Sequence, residues 1–189
     1  MTTIIRTPRL ELVPLKPVAI RHLLQGHRAE AEASIGATWP EEFPSAAELG
    51  GFLAIQLHRM ETARSRRDWM VRMMRAIATH EVVGHCGFHG PPEVIGRAEI
   101  GYTVFTGFRG QGFAKEAAKA LATWAFEHGQ REVFASIAPD NAPSLAVVRA
   151  LGFRQIGTQE DEVDGLELVF VLRADDPETE SRQVVKTGT

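Results

Sequence analysis

The segment Val104-Phe105-Thr106-Gly107-Phe108-Arg109-Gly110-Gln111-Gly112-Phe113-Ala114-Lys115 constrains the fold more than any other part of the chain. Apolar strand character runs out, glycines crowd the turn, and helical spacing begins at once. Ala114, Ala117, Ala118, Leu121 and Ala125 line one face of a helix predicted over 114–128, and Gly129 stands where a C-terminal cap belongs. A helix that starts straight out of a strand leaves its first amides unpaired, and the helix dipole adds partial positive charge there. Glycines let a phosphate come close to that backbone. The segment is therefore either a diphosphate site made of main-chain N–H groups or a glycine-rich turn with no ligand.

Two familiar phosphate motifs fail on residues. A P-loop needs lysine and then serine or threonine directly after its second glycine, and Phe113 and Ala114 stand there instead. A dinucleotide fingerprint needs a final glycine at Lys115 and a βαβ setting, whereas the strands before this turn look antiparallel.

Strands are expected at 9–15, 69–77, 82–88, 97–105, 131–138, 153–160 and 166–173, the last two flanking an Asp164-Gly165 turn. Helices are expected from Val18 to about Ile35, from a Ser45 cap through Leu57, over 114–128, and over 143–151 with Pro143 in its first turn. Gly90-Pro91-Pro92 reads as a plain turn. Arg64, Arg66 and Arg67 read as positive charge on a solvated helix end. This order is mixed α/β with a largely antiparallel sheet. At 189 residues the chain makes one domain, taken as 1–173, followed by a polar tail over 174–189.

A formal charge of −3 argues against a nucleic-acid binder that neutralises many phosphates. The lone Cys86 rules out an intrachain disulfide and fits a reducing compartment. No signal-peptide pattern and no run of ~18 apolar residues is present, so the expectation is a cytoplasmic protein without a membrane partner.

What survives in the glycine turn is Arg109-x-x-Gly112-x-Ala114, which resembles the R/Q-x-x-G-x-G/A signature of the GNAT superfamily of N-acetyltransferases. The resemblance covers about residues 7–173. Thr7-Pro8-Arg9-Leu10-x-Leu12, Glu99-Ile100-Gly101-Tyr102, Asn141-x-x-Ser144 and Leu151-Gly152-Phe153 are similar, in order, to the branch of ribosomal-protein alanine N-acetyltransferases, the RimJ/RimL type. The resemblance implies a GNAT fold: α/β (α+β), a mostly antiparallel twisted sheet of about seven strands flanked by about four helices. The strand 97–105 would splay from 131–138. It implies acetyl-CoA as cosubstrate, its pyrophosphate held at Arg109, Gly110, Gln111, Gly112, Phe113, Ala114 and Lys115. The pantetheine arm would lie in the splay beside Tyr102, Thr103 and Val104, with Asn141 contacting it. A backbone N–H there would polarise the thioester carbonyl. Dimers are common in the proteins it resembles.

Acetyl transfer needs a neutral amine and a protonated leaving thiolate. A lysine-type amine has a pKa near 10.4, so a base helps at neutral pH. Glu99, on the strand entering the turn, is the first choice of base; its other reading is an exposed or salt-bridged strand residue. Glu41 and Glu42 are alternatives that could bind a cationic acceptor, with Trp39 and Phe43 of the same Pro-bounded loop as walls of the acceptor site. Many relatives protonate the thiolate with a tyrosine at the position that is Val148 here, a departure from the pattern. The ribosomal-protein branch resembles this chain in placing a serine at Ser144, which serves equally well as a first-turn helix residue. Tyr102 packs or lines the cleft. His85 and His89 share a strand face without a third metal-spaced ligand, so no metal is expected. Cys86 reads as a small buried group without a base partner, so transfer would be direct.

The resulting expectation is an N-acetyltransferase acting on a peptide or protein N-terminus or a small amine. The alternatives are a non-catalytic acetyl-CoA sensor, and transfer of another acyl group such as succinyl, which would want Arg72 or Arg75 near the thioester.

Overall fold

In a computed structural model of the chain, the described residues are 3–46, 48–62, 64–161 and 165–175, the side chains of 64–66 excepted. Eight strands form one sheet: β1 (Ile5–Arg6), β2 (Leu10–Pro14), β3 (Arg72–Ala76), β4 (Val82–Phe88), β5 (Ala98–Val104), β6 (Glu132–Ile137), β7 (Arg154–Asp161) and β8 (Gly165–Arg173). Their spatial order is β1-β2-β3-β4-β5-β6-β8-β7, and each neighbouring pair is antiparallel except β5 with β6. Among the described residues six α-helices accompany them: α1 (Pro17–Leu24), α2 (Arg28–Ile35), α3 (Leu53–Thr62), α4 (Pro92–Ile95), α5 (Phe113–Glu127) and α6 (Ala142–Ala150). No helix among the described residues is long and apolar enough to cross a membrane.

The sheet separates two cores. On one face α5 lays Ala117, Ala118, Leu121 and Ala125 against Ile100, Val133 and Phe170, with α6 contributing Leu145 and Val148. Small alanines let α5 approach the strands closely, and Leu121 fills the centre at 0% exposure. On the other face α1–α3 and the loop before α3 bury Ile20, Leu23, Ala31, Trp39, Phe43, Leu53 and Met60 against Met73, Val82 and Phe105.

Four features differ from the sequence reading. The helix expected over 18–35 is two helices, because the chain turns between Leu24 and Arg28 and so lets both α1 and α2 bury apolar residues in one cluster. Ser45 does cap, but the chain first makes a π-helical turn, Glu48–Phe52, before α3. The Pro91-Pro92 turn contains the one-turn helix α4, with Pro92 at its first position, where a missing N–H costs nothing. The strand β1 is two residues long, too short to show a period. Asp164 of the expected hairpin turn, the side chains of Arg64 and Arg66, and positions 176–189 of the expected tail lie outside the described residues.

Candidate active site

The glycine turn forms as its sequence requires. After β5 a short 3-10 turn, Thr106–Phe108, leads to Gly110 (φ 74°) and Gly112 (φ 81°). Both occupy the left-handed region, which side-chain-bearing residues avoid at a cost of about 1–2 kcal/mol. Gly112 is the N-cap of α5 and offers no side-chain acceptor. Among the described residues, the amides of Gly110 to Lys115 donate to no protein acceptor. The turn is exposed and carries Arg109 and Lys115. Arg109 Nε donates to the Val104 carbonyl (3.1 Å), tying the turn to the end of β5.

A clamp from the N-terminal motif fixes this turn. Thr7 Oγ1 and the Arg9 amide donate to Glu116 Oε1 (2.6 and 2.9 Å), and Arg9 Nε donates to Glu116 Oε2 (2.7 Å). Arg9 Nη1 donates to the Gln111 carbonyl (2.9 Å), and its guanidinium lies over the Phe113 ring, 4.7 Å from the centroid. Burial pushes the Glu116 carboxyl up, but the hydrogen bonds from Thr7 and Arg9 outweigh it and hold the group below its ordinary value. Sequence reasoning found Thr7 and Arg9 as part of a resemblance and missed what they hold, because Glu116 is more than a hundred residues away.

Beside the turn the sheet opens. The parallel strands β5 and β6 pair only at Ala98↔Val133 and Glu99↔Phe134, and from there they diverge. A cleft of about 910 Å³ occupies the gap and continues onto the α3 face of the sheet. Gly101, Tyr102 and Thr103 line it from β5, Ser136 and Ile137 from β6, and Asn141 and Ser144 from the start of α6. The Asn141 side chain accepts from the Ser144 amide (3.2 Å) and so caps α6. The Tyr102 hydroxyl crosses the gap and donates to the Ser144 carbonyl (3.3 Å). Burial pushes the phenol up to about 12, so it stays protonated at neutral pH. Val148 is fully buried in the core below.

Glu99 is 6% exposed and fully engaged. Its Oε1 accepts from Ser136 Oγ (2.5 Å), and its Oε2 accepts from Arg97 Nε (2.8 Å) and pairs with Arg97 Nη2 (2.7 Å). Ser136 also accepts from Gln159 Nε2 (3.1 Å), which donates in turn to Glu167 Oε2 (2.9 Å). Of the roles the sequence left open for Glu99, the ion pair is the one this geometry makes. Ser136, not Glu99, faces the cleft.

The loop 36–44 needs correction. Trp39 (5% exposed) and Phe43 (0%) do not line the cleft; they stack in the second core, with Phe43 5.1 Å from the Phe105 ring. Arg28 fastens the loop by donating to the carbonyls of Trp39, Pro40 (2.9 Å) and Phe43 (2.7 Å). Glu42 accepts from the Thr106 amide (2.8 Å) and so braces the end of β5. Glu41 is exposed and does not line the cleft.

What does line the α3 side is His85, with Glu48, Phe52, Gln56 and Arg59. Their arrangement depends on a bulge. Met74 pairs with Gly84 and Arg75 with Val82, so Val83 is the extra residue in β4, and Val82 and His85 end on the same face. Gly84 permits the next strand to come close: a Cβ there would sit 2.2 Å from the Thr103 carbonyl. Cys86 turns to the α5 side. Burial pushes its thiol up to about 12 against the nearby Arg72, which leaves it without thiolate character. Arg72 is itself buried with its guanidinium over Trp124, and Arg75 pairs with Glu11; neither lines the cleft. Among the described residues no group of three His, Cys, Asp or Glu side chains is placed to hold a metal ion.

Compared with known proteins, residues 9–154 match the family model described as acetyltransferase (GNAT) domain. A protein of Bacillus licheniformis named uncharacterized N-acetyltransferase p20 is 37% identical over 84 residues, 44% of this chain and 47% of that protein. The chain spans about half the length of the curated relatives it matches. The crystal structure of an acetyltransferase from Agrobacterium tumefaciens strain C58 superposes with a TM-score of 0.61 at 27% identity, covering 92% of this chain and 95% of that one. RimL, a ribosomal L7/L12 alpha-N-protein acetyltransferase solved in complex with coenzyme A, superposes with a TM-score of 0.61 at 21% identity, covering 90% and 98%.

Proposed function

The chain belongs to the GNAT acetyltransferase family, and on that premise we propose that it moves an acetyl group from acetyl-CoA to a primary amine by direct attack in a ternary complex. The observation that carries this reading is the run of unpaired amides from Gly110 to Lys115 set beside the β5–β6 splay. Two phosphates need several converging donors, and a pantetheine arm needs an unpaired strand edge with a polar floor. The turn offers the donors and the splay the edge, and Arg109 ties the one to the other at the Val104 carbonyl. RimL, which shares the fold, was solved with coenzyme A bound.

The pyrophosphate would rest on the amides of Gly110, Gln111, Gly112, Phe113, Ala114 and Lys115, with Arg109 and Lys115 adding charge. The pantetheine arm would pair with the free edge of Tyr102, Thr103 and Val104, and Asn141 would reach it from α6. The amine attacks the thioester carbonyl carbon, a C–N bond forms, the C–S bond breaks, and the sulfur leaves with a proton. Ser144 stands on the α6 wall for that proton, and Tyr102 brings a second hydroxyl to the same helical turn from β5. Two hydroxyls beside the cleft support a catalytic reading in spite of the valine at Val148. Cys86, buried and protonated, supports transfer without a covalent enzyme intermediate. Transfer of succinyl draws no support from Arg72 or Arg75, since both are engaged elsewhere.

Glu48 from the α3 side and Asp161 and Glu167 from β7 and β8 line the cleft, together with Arg59. That balance favours an acceptor that arrives as a cation, such as a free peptide N-terminus or a small amine. Calorimetric titration with acetyl-CoA, followed by thiol release across a panel of amines and N-terminally free peptides, tests the proposal. Micromolar binding with thiol release on one class is the expected result. Absence of binding would make the glycine turn purely structural and overturn it.

A further inference from the structure

We propose that His85, backed by the Glu48 carboxylate, is the base that takes the proton from the attacking amine. The inference rests on the transferase reading above and assigns a residue pair that the sequence pattern does not single out.

Direct attack by an amine releases one proton from nitrogen and requires one at sulfur, so a base must stand on the acceptor side of the thioester. Glu99 is poorly placed for this, because Arg97 and Ser136 occupy both its oxygens and its side chain does not line the cleft. His85 does line it. The antiparallel register sets His85 opposite Thr103, at the free edge where the thioester is expected, and the close approach at Gly84 keeps the two strands together. The ring is stacked on Phe52 (centroids 4.6 Å apart) and bounded by Phe105 (6.2 Å) and Phe43 (6.4 Å), so it cannot drift out of the cleft.

His85 Nε2 lies 3.8 Å from Glu48 Oε1, an ion-pair distance, and both side chains line the cleft. The carboxylate is aimed by its own cap. The Ser45 amide donates to Glu48 Oε2 (2.7 Å) while the Glu48 amide donates to Ser45 Oγ (3.3 Å), a reciprocal capping box that leaves Oε1 for the imidazole. Burial pushes the Glu48 carboxyl up, but His85 and Ser45 outweigh it and hold it below its ordinary 4.5, so it is ionised at neutral pH. Base, orienting carboxylate and open cleft are the relation expected of a general base pair. Glu48 is the titratable group facing His85 from the α3 side; Met73 and Thr103 flank it on β3 and β5, Phe52, Phe105 and Phe43 bound the ring, and its remaining side opens to the cleft, which Arg59 and His89 also line. An acceptor that arrives as an ammonium first gives one proton to solvent, because it has no lone pair to attack with. The imidazole then takes the second proton from nitrogen as the C–N bond forms, and the imidazolium is held by Glu48 until it returns that proton to solvent. A histidine suits this because its ordinary titration range lies close to neutral.

The test measures kcat/KM against pH for the best acceptor found in the amine and peptide panel. In the wild type the rate should rise with pH through one ionisation. His85→Gln should lower kcat/KM about 10²-fold, erase that limb, and leave acetyl-CoA affinity unchanged. Glu48→Gln should lose less than His85→Gln, because the ring stays in the cleft and loses only the carboxylate that orients it. Added imidazole should recover part of the activity of His85→Gly. A His85→Gln enzyme with wild-type kcat/KM, or with the limb intact, overturns this inference alone. A wild-type protein that binds acetyl-CoA and transfers to nothing overturns the transferase reading, and this inference with it.

Discussion

The two faces of the sheet solve opposite problems. The α5 side holds a turn whose amides must keep one arrangement, and it does so with a 15-residue helix, an alanine-rich close contact, and a charged clamp from the N-terminus. The α1–α3 side is built from helices of 8, 8 and 10 residues interrupted by turns, with aromatic and methionine packing. Ile55, half exposed, stands at its cleft. A fixed small anion favours a rigid cradle with backbone donors. An acceptor that enters from solvent favours a wall of side chains on shorter elements. On the proposed function, the part of the site that meets the same ligand in every turnover is built from one long helix and a charged clamp, and the part that meets the acceptor from short elements.

The sharpest way to break that contrast is to damage the acceptor face and watch the cofactor face. Phe43 is fully buried among Trp39, His85 and Phe105. Phe43→Ala should cost about 3–5 kcal/mol of stability in denaturant unfolding. At temperatures where the variant stays folded, its acetyl-CoA affinity should match the wild type, while kcat falls because the His85 ring loses a wall. A matching loss of acetyl-CoA affinity would show that the two faces are not separable.

A smaller effect tests the cradle itself. Gly112 has φ 81° at the start of α5, and a Cβ there meets nothing closer than Arg9 Nη2 at 3.5 Å. Gly112→Ala is therefore a test of backbone conformation with little steric contribution. The strain of about 1–2 kcal/mol should appear as lost stability in denaturant unfolding where the free turn keeps its conformation, and as up to roughly tenfold weaker acetyl-CoA binding by calorimetry where the free turn relaxes. Unchanged stability and unchanged affinity together would mean that the turn does not need this conformation.

The same contrast governs what the sequence disclosed. The glycine turn, α5, α6 and the β7–β8 pair were legible because each is written within a few residues, as helical spacing, a cap or alternation. The splay of β5 from β6 was legible only through family resemblance, since no local pattern says where two parallel strands part. The His85–Glu48 pair was not legible at all. The residues are 37 positions apart, and the bulge at Val83 shifts the alternation that would have told which face His85 takes. Trp39 and Phe43 were misplaced for a related reason. A Pro-bounded aromatic loop looks exposed until Arg28, from another element, ties its carbonyls down. For Glu99 the sequence leaves a base, an exposed residue and an ion pair open, and only the contacts with Arg97 and Ser136 in the folded chain separate them.

The smallest expected effect concerns the clamp that makes the cradle rigid. Glu116 accepts from Thr7 and Arg9, and its carboxyl titrates below its ordinary value in the folded protein. A carboxyl depressed on folding contributes stability above its unfolded pKa of about 4.3, and loses it as pH falls through the folded value. Arg9 is half exposed, so solvent screening limits the contribution to about 1 kcal/mol or less. Glu116→Gln should thus be slightly less stable than the wild type at neutral pH, and the gap should close in acid as the wild-type carboxyl protonates. Acetyl-CoA affinity should drop with it, since Arg9 also holds the Gln111 carbonyl at the turn. Paired unfolding curves at neutral and acidic pH measure the first effect and calorimetry the second. A gap that stays constant with pH would mean that the carboxylate's charge plays no part in holding the turn, leaving Thr7 and the Arg9 amide as the anchors.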